Sequence, residues 1–168
     1  MSRPQREKAI AIDLIIDDEG WEALEGVEAL LEHAAAEVSR HVRKAAQGAS
    51  VSIALSSDAE VARLNAAYRN KPKATNVLSF PAGRGAPKGF LGDVILAAGT
   101  VAREAREQDT PLGHHVQHLI VHGLLHLLGY DHEAADDAER MEALEIAILD
   151  DLGIANPYTG ELETAKKE

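Results

Sequence analysis

Three histidines carry the strongest chemical signal in the chain. In HGLLHLLGYDH, residues 122–132, His122, His126 and His132 follow the pattern H-x-x-x-H-x-x-G-x-x-H. Side chains four apart on a helix share a face, with Cβ atoms roughly 6 Å apart, which suits two imidazoles converging on one metal ion. Gly129 is placed to end that helix and turn the chain, so that His132 arrives on the return.

A plainer reading treats His114, His118, His122 and His126 as a polar stripe at i+4 spacing. Their neighbours Leu119, Ile120, Leu124, Leu125, Leu127 and Leu128 leave little polar face toward the end of the helix. A histidine buried there needs a partner, and a shared metal supplies one. His118 is a lesser candidate facing substrate or backing the ligands, and His114 and His115 are expected in solvent. A closed structural site would need a fourth ligand from Asp131, Glu133 or His118, whereas three imidazoles plus water give the open site of a hydrolase. Metzincin peptidases hold zinc with this spacing, but carry a glutamate base directly after the first histidine. Here that residue is Gly123, and no carboxylate occurs between Thr110 and Tyr130. Peptide hydrolysis needs the base, while phosphodiester cleavage leans more on charge neutralisation by a metal and an arginine.

The charge pattern points the same way. The 168 residues carry a net charge of −11, yet Val61 to Gly92 contains no acidic residue. Arg63, Arg69, Lys71, Lys73, Arg84 and Lys88 make that segment locally basic, and such a surface can meet phosphate on an otherwise acidic protein. Arg69 can grip a phosphate bidentately, with Lys71 and Lys73 as backbone-phosphate contacts. Asn76 and Ser79 are expected to serve a strand, and Asp93 to orient a ligand or cap structure. Aromatics are only 4% of the chain, so base stacking is expected to be minor. Without cysteine, thiolate ligands and disulfides are excluded. No apolar run approaches the roughly 18 residues of a membrane span, and the N-terminus lacks the pattern of a signal peptide, so a cytoplasmic protein is expected.

The elements that must position these groups alternate along the chain. Strands are expected at Ala9–Ile16, Val51–Leu55, Asn76–Phe80 (stopped by Pro81) and Asp93–Ala97. Helices are expected over about Trp21–Ala46, after the capping box SDAE to about Tyr68, through VAREAREQ, from Pro111 to Leu128, and from Ala134 to Leu152. PAGRGAPKG reads as a flexible loop. This is one mixed α/β (α+β) layer structure over residues 1–168, with the tail 157–168 expected to fray.

The sequence resembles the bacterial YbeY-type endoribonucleases, the ribosomal RNA maturation factors. The resemblance rests on HHVQHLIVHGLLHLLGYDH, LNAAYRNKPKATNVLSFP (64–81), FLGDVILA (90–97) and MEALEIAILDDLGIANPY (141–158), in that family's order. It implies a single domain with a mixed four-stranded sheet and about five helices, the metal site lying on the helix that carries HGLLH. It also implies one Zn2+ per chain on His122, His126 and His132, with catalytic roles for Arg69 and His122. The implied activity is single-strand endoribonuclease cleavage in 16S rRNA 3′-end maturation, ribosome biogenesis and 70S quality control. The implied partners are ribosomal RNA and the small subunit, with ribosomal proteins and an assembly GTPase contributing specificity. Two alternatives stand beside it: a metal-dependent peptidase and a non-catalytic ribosome assembly factor.

Overall fold

The computed structural model describes residues 9–70, 75–130 and 134–158. Lys71, Lys73, Asp131, His132, Glu133 and the tail from residue 159 lie outside them.

Strands β1 (Ala11–Ile16), β2 (Ser50–Ser56), β3 (Val77–Pro81) and β4 (Phe90–Ala97) form one sheet in the order β1-β2-β4-β3. β1 and β4 both run parallel to β2, and β3 runs antiparallel to β4, so the sheet is mixed. The described helices are α1 (Val27–His41), α2 (Arg43–Ala46), α3 (Asp58–Arg69), α4 (Ala98–Glu107), α5 (Leu112–Leu127) and α6 (Ala135–Asp151).

The period-2 alternation of the strands sorts side chains between two faces. Val51, Ile53 and Leu55 of β2, with Val94 and Leu96 of β4, enter the main core with Leu31 and Val38 of α1, Ile120 and Leu124 of α5, and Ile148 and Leu149 of α6. On the other face, Leu78, Phe80, Ile95 and Ala97 pack with Val61 and Leu64 of α3. Ser57 caps α3 by accepting from the Glu60 N–H at 3.1 Å, as the capping box requires. Asp58 then accepts from the Thr100 N–H at 2.9 Å and ties α3 to α4.

The expected helix over 21–46 is instead three pieces. Glu19–Ala23 is a 3-10 turn, Gly26 adopts a left-handed φ of 67° ahead of α1, and Val42 breaks the path before the single turn of α2. The apolar spacing is kept within α1, where Val27, Leu31, Ala34 and Val38 are buried, while Trp21 is buried apart from it, donating from Nε1 to the Ser56 carbonyl at 2.9 Å. The split raises the described α-helices to six. Pro81 pairs opposite Gly92 as the last residue of β3, an edge strand where a missing N–H is tolerated. β4 begins earlier than expected because Phe90 already aligns with Ser50.

A Schellman turn closes α5. The Gly129 N–H bonds the His126 carbonyl and the Tyr130 N–H bonds the Leu125 carbonyl, both at 3.0 Å, with Gly129 at φ 103°. The helix therefore ends at Leu127, within a residue of His126, and the chain turns at Gly129.

Candidate metal and RNA site

His122 and His126 lie on one face of α5, their ring centroids 4.6 Å apart and their planes at 78°. Their Nε2 atoms are 3.0 Å apart. Two nitrogens each about 2.0–2.1 Å from one tetrahedral ion stand roughly 3.3 Å apart, so the pair fits a shared Zn2+ after a shift of a few tenths of an ångström. His132 is outside the described residues.

Behind the pair stands a carboxylate from another helix. Glu145 of α6 is fully buried, with 0% of its surface exposed. Its Oε1 is hydrogen-bonded to His122 Nδ1, and its Oε2 accepts from the Tyr158 hydroxyl. His118 Nε2 lies 3.9 Å from the same Oε2. Burial alone would raise the Glu145 carboxyl, but the bonds from His122 and Tyr158 and the neighbouring imidazoles hold it below its ordinary value. A carboxylate on Nδ1 orients the ring and directs Nε2 toward a metal, an arrangement common behind ligating histidines.

His118 is buried against this network, with 19% of its side chain exposed. Its ring makes edge contacts with His115 and Tyr158, each at 6.2 Å between centroids. Burial pushes its pKa down to about 4, against the pull of Glu145 and with help from His122 and His115, while Glu104 also opposes. An unfolded histidine titrates near 6.5. Between these values the unfolded chain binds the extra proton, so stability is complete above about pH 6.5 and is lost as pH falls toward 4. The expected loss is about 3 kcal/mol at full titration. Urea midpoints of the chelator-treated protein at pH 7 and 4.5 measure it, and His118→Gln should flatten the difference. An equal pH dependence in the variant would refute the assignment.

His115, expected in solvent, is only 4% exposed. Its Nε2 lies 2.9 Å from Glu104 Oε1, which also accepts from Asn76 Nδ2 at 2.9 Å. The reason is that α5 is covered on several sides, packing against α1, α4, α6 and the sheet.

Gly123 is where α5 meets the sheet. A Cβ there would stand 3.1 Å from both Ser79 Oγ and Val94 Cγ1. The position that holds a glutamate in peptidases therefore points into β3 and β4, where a carboxylate would meet packed side chains.

Arg69 ends α3 and reaches the β3 edge. Its Nη2 donates to the Ser79 carbonyl at 2.5 Å, and its guanidinium carbon lies 5.4 Å from the centre of the Phe80 ring. Ser79 thus touches Arg69 through its carbonyl and faces Gly123, next to His122, through its side chain. One described hydrogen bond leaves most of the five guanidinium N–H donors for a ligand. Lys71 and Lys73 lie outside the described residues. Asp93 aligns with Phe80, and burial raises its carboxyl.

Another group of described residues could hold a metal. Glu37 and His41 of α1 and Asp151 of α6 offer ligand atoms all within 4.8 Å of one another. His41 Nε2 is already 2.7 Å from Asp151 Oδ2, and Glu37 Oε1 accepts from Arg40 at 3.2 Å. The His41–Asp151 contact ties α1 to α6, and the Glu37–Arg40 pair lies within α1.

The sequence reading missed Glu145 and Tyr158. Both lie in MEALEIAILDDLGIANPY, where Glu145 falls among apolar residues and nothing local shows that it meets His122.

In this mixed-sheet α+β protein, two imidazole nitrogens 3.0 Å apart with a buried carboxylate behind them make a candidate metal-binding site. Comparison with known proteins narrows the reaction it could serve. The profile of the family described as Endoribonuclease YbeY matches residues 16–153. An Endoribonuclease YbeY of Maricaulis maris is 46% identical over 151 residues, covering 90% of this chain and 93% of that one. Another, of Azorhizobium caulinodans, is 47% identical over 152 residues, covering 88% and 95%. The solution structure of TM1509 from Thermotoga maritima shares the fold, with a TM-score of 0.56 at 24% identity over 84% of this chain and 91% of that one. The chain belongs to the endoribonuclease YbeY family. Its reaction class is accordingly hydrolysis of phosphodiester bonds within RNA. No helix among the described residues is long and apolar enough to cross a membrane.

Proposed function

We propose that this protein is a zinc-dependent, single-strand-specific endoribonuclease acting in 16S rRNA 3′-end maturation, ribosome biogenesis and 70S ribosome quality control. The observation that carries this reading is the 3.0 Å approach of the His122 and His126 Nε2 atoms in a member of an RNA-cleaving family. His122, His126 and His132 would hold one Zn2+ per chain. When bound, the ion supplies Lewis-acid charge at a phosphoryl oxygen and activation of water.

The chain's own residues do the rest. Glu145 and Tyr158 keep the His122 ring in one orientation. Arg69, braced on the Ser79 carbonyl and the Phe80 ring, presents its remaining donors to the phosphate and offsets its charge. Lys71 and Lys73 contact neighbouring phosphates. The partners are ribosomal RNA and the small subunit, with ribosomal proteins and an assembly GTPase adding specificity, and the setting is cytoplasmic without membrane contact. Peptide hydrolysis is disfavoured because the place of its general base is Gly123, packed against Ser79 and Val94.

The test is digestion of an unpaired RNA spanning the 3′ end of 16S rRNA, beside a duplex of equal length and a peptide library. The single strand should be cut, cleavage should vanish on chelation, and Zn2+ should restore it. Undiminished cleavage by chelated protein, or metal-dependent cutting of peptides alone, would overturn the reading.

A further inference from the structure

We propose that Tyr68 is a stacking platform for one unpaired nucleobase of the RNA substrate. The inference deepens the nuclease reading and rests on it. Tyr68 is 72% exposed, a large ring open to solvent in a chain poor in aromatics. It sits in the last turn of α3, directly before Arg69. Its ring meets Phe80 edge-on, at 5.6 Å between centroids and 66° between planes. That contact holds the ring in place while leaving most of it uncovered.

The surroundings fit a nucleotide better than an apolar partner. Arg69 spans the same Phe80 ring, so a flat aromatic surface and a phosphate-binding fork stand side by side. Tyr68 also lies within the acid-free segment 61–92. Tyr68 and Phe80 lie on the α3 face of the sheet and the histidine pair on the α5 face, and Arg69, bonded to the Ser79 carbonyl of the edge strand β3, stands at the border between them. A base stacked on Tyr68 would belong to the strand whose backbone passes Arg69. Every base offers a π-face, so the contact tolerates sequence, but only an unpaired base can present that face. Tyr68 therefore supplies preference for single strands without demanding a particular letter. The low aromatic content limits stacking to one base and does not remove it.

The test uses the full chain with chelator present, so that RNA is bound and not cut. The probes are an unstructured ten-nucleotide RNA carrying 2-aminopurine, and the corresponding blunt duplex. Tyr68→Ala should weaken single-strand binding about 5- to 100-fold and lose the 2-aminopurine quenching. Tyr68→Phe and Tyr68→Trp should keep both, and duplex binding should be the same in all four proteins. Because the side chain is exposed, thermal stability should be unchanged in Tyr68→Ala. Wild-type affinity in Tyr68→Ala, or equal losses on single strand and duplex, would overturn the proposal alone. A wild type that binds no single strand would overturn the nuclease reading with it.

Discussion

His126→Ala is expected to lose bound metal and RNA cleavage together while the chain stays folded. The His126 side chain is only partly buried and lies in the last turn of α5, outside the apolar core, so truncating it removes a donor atom and little packing. Of the three proposed ligands His122, held by Glu145, and His132 would remain, and the convergence of the His122 and His126 Nε2 atoms 3.0 Å apart would be lost. Metal stoichiometry should fall from one per chain to near zero at micromolar free zinc. Cleavage should fall by about 10³-fold or more, since the ion supplies several kcal/mol of charge stabilisation. The melting temperature should match that of chelated wild type. A variant that keeps both metal and activity would remove His126 from the site.

Arg69→Ala separates the two properties. The guanidinium is engaged by the Ser79 carbonyl and Phe80, neither of which binds metal, so one ion per chain should remain. Removing a positioned donor from a developing anion typically costs about 10²–10³ in rate, and that loss should appear chiefly in kcat. Arg69→Lys should recover only a small part. An ammonium restores charge but not a planar fork able to grip phosphate and the Ser79 carbonyl at once. Full activity in Arg69→Lys would reduce the arginine to a simple charge.

How far the site could be read from sequence follows from the range of each interaction. The His122–His126 pair and the turn after it are local, set by the 3.6-residue period and by Gly129, and both are legible in a few letters. The strands are legible by alternation, and the mixed character of the sheet through the family resemblance, whereas the order β1-β2-β4-β3 needs the structure. Glu145 is not legible, because its bond to His122 spans 23 residues and two helices. His115 was misplaced in solvent because periodicity marks one apolar stripe, whereas α5 is covered by three helices and the sheet. Gly123 stands out in the sequence as a missing glutamate. Its structural cause, close approach of α5 to Ser79 and Val94, needed the packing. Composition discounted aromatics, and only the surface reveals that Tyr68 stands outward beside Arg69.

The most direct measurement is zinc content beside cleavage of one defined 16S rRNA 3′ fragment, made on the same preparations of wild type, His126→Ala and Arg69→Ala. Metal and cleavage are expected in wild type, neither in His126→Ala, and metal without cleavage in Arg69→Ala. Cleavage that persists equally in all three, whatever their metal content, would contradict it.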